Sequence, residues 1–67
     1  MNKINVNGIN VEWRENFTVR AVLKHMNYTF KMLIVKVNGQ VVKKDQYDNY
    51  IIPRDAEVKV IHLIGGG

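Results

Sequence analysis

Two Asn-Gly pairs, at 7–8 and 38–39, limit what this chain can fold into more than any other feature of its sequence. Each pair is flanked by alternating apolar and polar residues, and a type I′ turn needs positive φ at both of its central positions. We therefore predict two antiparallel hairpins. Their strands are expected at about 3–7 and 9–14 in the first hairpin, and at about 33–37 and 41–43 in the second.

One amphipathic helix is predicted between the two hairpins. The residues spaced to share one face of an α-helix are Val19, Val22, Leu23 and Met26. Thr18 is a suitable N-cap, and Asn27 is a suitable left-handed residue at the C-terminal end. These signals place the helix at about 18–27.

A last strand is predicted at about 57–63. It is the longest apolar strand of the chain, and such strands usually lie centrally in a sheet. Because one helix with one apolar face must be covered by the strands, the fold class is α+β, with a mixed sheet of about five strands packed on one main helix. A β-grasp arrangement, in which the last strand runs between the hairpins beside the first strand, satisfies this order. We assign 1–64 to a single domain and 65–67 to a flexible glycine tail.

The composition excludes several classes of function. The 67 residues make one small domain without cysteine, so no side-chain thiol can attack a substrate or bind a metal. His25 and His62 lack the spacing of a metal site, and nothing supports nucleophilic catalysis. No apolar segment approaches a membrane span and no signal-peptide core is present, so we predict a cytoplasmic protein. The net charge of +4 is scattered, which favours a solvated surface over a nucleic-acid site.

The glycines at 65–67 directly follow the last strand. Glycine is a poor strand former and adds nothing to a core, but a glycine run makes a thin, extensible tail that ends in a carboxylate. Fully extended, such a tail reaches roughly 10 Å beyond the last ordered residue. Because termini are commonly disordered and glycine-rich, composition alone leaves open whether the tail is functional or incidental.

Several segments carry a resemblance to a known family. They are Phe17-Thr18-Val19, Val37-Asn38-Gly39-Gln40-Val41-Val42, Asp45-Gln46-Tyr47 and Val58-Lys59-Val60-Ile61-His62-Leu63-Ile64-Gly65-Gly66-Gly67. With these segments the chain resembles the ThiS family of sulfur carriers over nearly its whole length. The resemblance implies a ubiquitin-like β-grasp fold, in which an apolar final strand leads into a Gly-Gly terminus.

The resemblance implies that Gly67 carries the chemistry. In the family, an adenylating enzyme of the ThiF type uses ATP and Mg²⁺ to convert the terminal carboxylate to an acyl-adenylate. Sulfur from a cysteine-derived persulfide displaces AMP, and a thiazole synthase of the ThiG type takes sulfur from the resulting thiocarboxylate in thiamine biosynthesis. Gly65 and Gly66 would thread the narrow partner active sites. The chain would be a monomeric cosubstrate rather than an enzyme, with no catalytic side chain, bound cofactor or metal.

A partner interface is expected on the last strand. Because residues two apart on a strand share a face, Ile61 and Leu63 are expected to face away from the helix. If exposed, they would form the interface together with His62 and Ile64, whereas the alternative is that they pack beneath the segment 47–52. The basic residues that would supplement this interface are Lys36, Lys43 and Lys59.

Three classes of function remain open. The first is a sulfur carrier, for thiazole formation or for a molybdopterin-type cofactor. The second is a ubiquitin-like modifier joined to lysines of other proteins through Gly67, and the third is a small nucleic-acid-binding β-grasp module with an incidental tail. Loss of the tail should abolish the first two functions and spare the third, and a thiocarboxylate distinguishes the first from the second.

Overall fold

The computed structural model describes residues 2–28 and 32–63. In chain order the elements are β1 (Lys3–Val6), β2 (Ile9–Glu12), α1 (Val19–His25), β3 (Leu33–Val37), β4 (Gln40–Val42), a 3₁₀ turn (Lys44–Gln46) and β5 (Glu57–His62). Within these residues the strands form one five-stranded sheet in the order β2-β1-β5-β3-β4. The predicted α+β class and β-grasp arrangement are confirmed, including the central position of the last strand between the two hairpins.

Both Asn-Gly pairs form the predicted turns. Asn7 and Gly8 have φ values of 52° and 85°, and Asn38 and Gly39 have values of 51° and 84°. Asparagine and glycine tolerate this left-handed region better than other residues, which explains why the chain reverses at these two points. The turns fix the register of both hairpins.

The predicted ends of several elements differ from the observed ones by one or two residues. β2 ends at Glu12 rather than residue 14, because Glu12 pairs with Lys3 and β1 offers no strand partner beyond it. β4 starts one residue earlier than predicted, at Gln40, which pairs with Val37. The segment after β4 begins with the 3₁₀ turn.

The helix α1 is delimited by the two predicted signals. Thr18 is extended and its Oγ1 accepts a hydrogen bond from the Ala21 amide at 3.1 Å, as an N-cap should. Asn27 has φ of 60°, and the Tyr28 amide donates to the Leu23 carbonyl at 2.8 Å to close the C-terminal end. Since only seven residues are helical, packing rather than propensity holds α1.

The core lies between α1 and one face of the sheet. Its buried residues are Ile4, Val6, Val11, Phe17, Val19, Val22, Leu23, Val35, Val37, Val42, Tyr47, Ile52, Ala56 and Val58. Every strand and the helix contribute to this set, and β1 and β3 each contribute two residues whereas β2, β4 and β5 contribute one. The opposite face of the sheet, which we call the outer face, is not covered by the helix.

The segment after β4 closes one end of the core through Tyr47. The Arg20 guanidinium lies 5.5 Å from the Tyr47 ring centroid, and Arg20 Nε donates to Asp48 Oδ1 at 3.0 Å. Burial raises the pKa of the Tyr47 hydroxyl, and the Arg20 charge opposes that shift.

Among the described residues, no helix has the length and apolar character required to cross a membrane.

Candidate functional site at the end of the central strand

The strand that leads to the glycines is held unequally on its two sides. On the β3 side, backbone pairing continues to the end of β5, with Leu33 opposite His62 and the Leu63 amide donating to the Met32 carbonyl at 3.0 Å. On the β1 side, the registered pairs end at Val6 and Val58. β5 therefore runs past β1 toward the predicted tail while remaining paired with β3.

The asparagines of both turns bond to β5 through their side chains. Asn38 Oδ1 accepts from the Glu57 amide at 2.9 Å, at the start of the strand. Asn7 Oδ1 accepts from the Val60 amide at 2.8 Å, and its Nδ2 donates to the Val60 carbonyl at 3.1 Å. Sequence reasoning assigned these asparagines to turn geometry alone. The repeated Val-Asn-Gly at 6–8 and 37–39 indicates two equivalent turns, but it does not reveal that both asparagine side chains bond to β5.

Ile61 and Leu63 lie on the outer face and are 43% and 39% exposed. The alternative in which they pack beneath the segment 47–52 is therefore wrong. Ile34 lies opposite Ile61 on β3, so it lies on the same face. We call Ile34, Ile61 and Leu63 the outer apolar patch, and its exposure makes it available to a partner.

Two of the expected lysines stand directly opposite each other beside this patch. Lys36 on β3 pairs with Lys59 on β5, and Val41 on β4, which is 61% exposed, pairs with Lys36. Across residues 2–28 and 32–63 the only salt bridge joins Arg20 to Asp48, so no carboxylate there is paired with either lysine. Like charges directly opposite on neighbouring strands destabilise a sheet.

The remaining predicted interface residues are placed differently. His62 pairs with Leu33, whose side chain packs against the core, so His62 lies on the face opposite Ile61 and Leu63. It borders a hollow of about 160 Å³ together with Tyr28 and Val60. The structure therefore does not bring His62 into one surface with the outer apolar patch, because successive strand residues alternate between faces.

Lys43 lies after the end of β4, where its amide donates to Gln46 Oε1 at 3.1 Å to start the 3₁₀ turn.

Ile64 and the glycines at 65–67 lie outside the described residues. Across the part of the chain that the structure describes, no group of His, Cys, Asp or Glu side chains could hold a metal ion. The described site is thus a strand end with one apolar, basic face.

Comparisons with known proteins agree with this arrangement. The sequence model of the ThiS family matches residues 3–67. The sulfur carrier protein ThiS of Bacillus subtilis (strain 168) is 25% identical over 65 residues, which cover 96% of this chain and 98% of that protein. The crystal structure of the thiamine biosynthesis protein ThiS from Geobacter metallireducens has a TM-score of 0.77, covers 97% of this chain and 99% of that one, and is 20% identical. This structural likeness shows a common fold.

Proposed function

The chain belongs to the ThiS family, and from that premise we propose that it carries sulfur on the C-terminal carboxylate of Gly67 for thiazole formation in thiamine biosynthesis. The observation that supports this proposal is that the family match includes the glycines at 65–67. These glycines follow the strand that runs past β1 beside the outer apolar patch. ThiS-like proteins are small carrier proteins rather than enzymes.

The chemistry requires activation of the carboxylate, because a carboxylate is a poor electrophile. One carboxylate oxygen of Gly67 attacks the α-phosphorus of ATP and pyrophosphate leaves, which gives an acyl-adenylate. The terminal sulfur of a persulfide then attacks the acyl carbon and AMP leaves. A thiol cleaves the resulting disulfide and releases the thiocarboxylate, whose sulfur is soft and nucleophilic. ATP and Mg²⁺ act in the partner adenylating enzyme, so this chain needs no bound cofactor.

The glycines suit passage through two different active sites in succession. A partner of the ThiF type would adenylate Gly67, and a partner of the ThiG type would accept the sulfur. Because glycine has no Cβ, Gly65 and Gly66 would let the walls of a narrow channel approach the backbone closely. The folded domain would serve as the part that each partner recognises.

Recognition is proposed to use the outer apolar patch together with Lys36 and Lys59. Exposed apolar side chains beside basic groups fit a partner surface that is apolar in its centre and acidic at its edge. A groove of about 430 Å³ lies alongside Lys59 and Ile61, next to the first turn, and could seat a partner side chain. His62, on the opposite face, would contact only a partner that surrounds the end of β5. Ile64 would extend the contact toward the tail.

Intact mass spectrometry tests the proposal. The protein is incubated with ATP, Mg²⁺, the adenylating enzyme of the same organism and a sulfide source. A mass shift equal to one oxygen exchanged for sulfur, present in the full chain and missing when Gly67 is deleted, is the expected result. An unchanged mass, with an adenylating enzyme that is active on a known carrier, would refute it. Adducts joined to lysines of other proteins would instead identify a modifier.

A further inference from the structure

The backbone of β1 stops supporting β5 before β5 ends. The Asn7 amide donates to the Val58 carbonyl at 2.9 Å, which is the last backbone bond from the first hairpin to β5 among the described residues. At Asn7 the chain adopts φ of 52° and turns away into β2. The next position of β5 that faces β1, Val60, therefore has no strand backbone opposite it.

The side chain of Asn7 takes the place of that missing backbone. A primary amide has the same acceptor and donor as a peptide group, and Asn7 presents Oδ1 to the Val60 N–H and Nδ2 to the Val60 C=O. Only this orientation of the amide works, because the flipped one would place donor against donor. Asn7 Nδ2 also lies 3.4 Å from Tyr28 Oη, which ties the turn to the end of the helix.

We propose that Asn7 is a positioning residue for the tail: its amide holds the β1 side of β5 at Val60 and so sets the direction in which the chain leaves the sheet. This inference rests on the proposed function, in which Gly67 must enter partner active sites. β3 pairs with β5 as far as His62, and the Leu63 amide donates to the Met32 carbonyl, so the chain leaves the sheet after Leu63. The four residues from Ile64 to Gly67 can span roughly 13 Å when extended. A change of about 10° in the direction of β5 would then move the end of the chain by about 2 Å, and misplacements of about 1 Å already slow reactions.

A purely structural role for Asn7 is the competing explanation, and Asn38 provides the matched control. Asn38 occupies the same position in the second turn, with φ of 51°, and its side chain also bonds to β5. That bond is at Glu57, at the opposite end of the strand from the tail. A glycine fits the positive φ at either position, so N7G and N38G both keep the turn and remove the side chain that bonds to β5. N7G also removes the longer contact between Asn7 Nδ2 and Tyr28 Oη.

Two measurements separate the roles of the asparagines. In ¹⁵N relaxation of the free protein, N7G should lower the order parameters of Ile61, His62 and Leu63, whereas N38G should leave them at wild-type values.

In steady-state adenylation with the ThiF-type enzyme, N7G should lower kcat/KM about threefold to tenfold, mainly through KM, because the tail must be ordered on binding. N38G should stay within about twofold of wild type. Both assays are run at a temperature where circular dichroism shows all variants folded.

Equal effects of N7G and N38G, or wild-type order parameters in N7G, would overturn the positioning role. If N7G does not fold, N7D serves in its place, because aspartate tolerates the same φ but sets a carboxylate oxygen against the Val60 carbonyl. N7D should also lower the order parameters at 61–63, and unchanged values would overturn the proposal. A wild-type protein that is not adenylated would count against the proposed function alone, since the relaxation measurement needs no partner.

Discussion

Replacing Lys36 by glutamate should raise the free energy of unfolding while making the protein a poorer substrate for the adenylating enzyme. Lys36 and Lys59 stand opposite each other on β3 and β5, with Cβ atoms about 5 Å apart in such a pair. Their ammonium groups can separate to about 7 Å, where the repulsion in water is about 0.6 kcal/mol. Lys36→Glu converts this repulsion into an attraction of similar size. The free energy of unfolding should therefore rise by about 1 kcal/mol at low salt, or about 4–8 °C in Tm.

Urea denaturation at low and high ionic strength checks this value. Near 1 M salt the screening length falls to about 3 Å, so the difference between Lys36→Glu and wild type should nearly vanish. Lys36→Gln should give about half of the gain, since it removes the repulsion without adding an attraction. Lys43→Glu is the control, because Lys43 lies beyond β4 without a lysine registered opposite it; its effect should stay within about 0.5 kcal/mol.

The same variant tests the acidic partner surface. Lys36→Glu should lower kcat/KM with the adenylating enzyme although the domain is more stable, and the loss should shrink as salt increases. A Lys36→Glu protein that is less stable than wild type at low salt would refute the electrostatic reasoning. A variant that is more stable and adenylated at the wild-type rate would show that Lys36 and Lys59 do not face an acidic partner.

Three further outcomes follow from individual contacts. Ile61→Ser should lower the free energy of unfolding by about 1–2 kcal/mol, because Ile61 is only 43% exposed and pairs with Ile34 across the sheet. Measured on folded protein, it should also lower kcat/KM with the adenylating enzyme about tenfold or more; wild-type kinetics would exclude Ile61 from the interface. Thr18→Ala removes the acceptor for the Ala21 amide and should cost about 1 kcal/mol in thermal or urea unfolding, whereas Thr18→Ser should recover most of it. Burial raises the pKa of Tyr47 above 10.0, so its contribution to stability is complete below pH 10 and is lost as pH rises through the raised value. Tyr47→Phe should reduce that alkaline loss in denaturation measured across this range, and an unchanged alkaline slope would contradict the assignment.

Local signals were enough to predict the elements of the fold. The Asn-Gly turns depend on φ values at adjacent residues, and the N-cap at Thr18 depends on a contact three residues away. One helix with one apolar face then left few ways to arrange two hairpins and a last apolar strand. The sheet order followed from these constraints, which is why the predicted and observed elements differ only at their ends.

The site depended on contacts that adjacent residues do not determine. Asn7 and Val60 are 53 positions apart, and their bond exists only because β1 turns away while β5 continues. The pairing of Lys36 with Lys59 likewise depends on the register between β3 and β5. Alternation along a strand predicted that Ile61 and Leu63 share a face, and the same rule separates His62 from them.

The position of β5 also has a consequence for how the protein is made. Of the five strands in the described part of the chain, the central one follows the other four in chain order, so during synthesis β1 and β3 leave the ribosome before the strand that joins them. Until β5 is available, β1 and β3 each have one strand edge without a partner. Pairing Asn5 with Glu57 then closes most of the chain into one loop, and contacts between residues so far apart in sequence form slowly. Folding of this sheet must then wait for β5. The strand that leads to the glycine tail is therefore also the strand that completes the sheet. A nascent chain that lacks β5 has neither a complete sheet nor the tail.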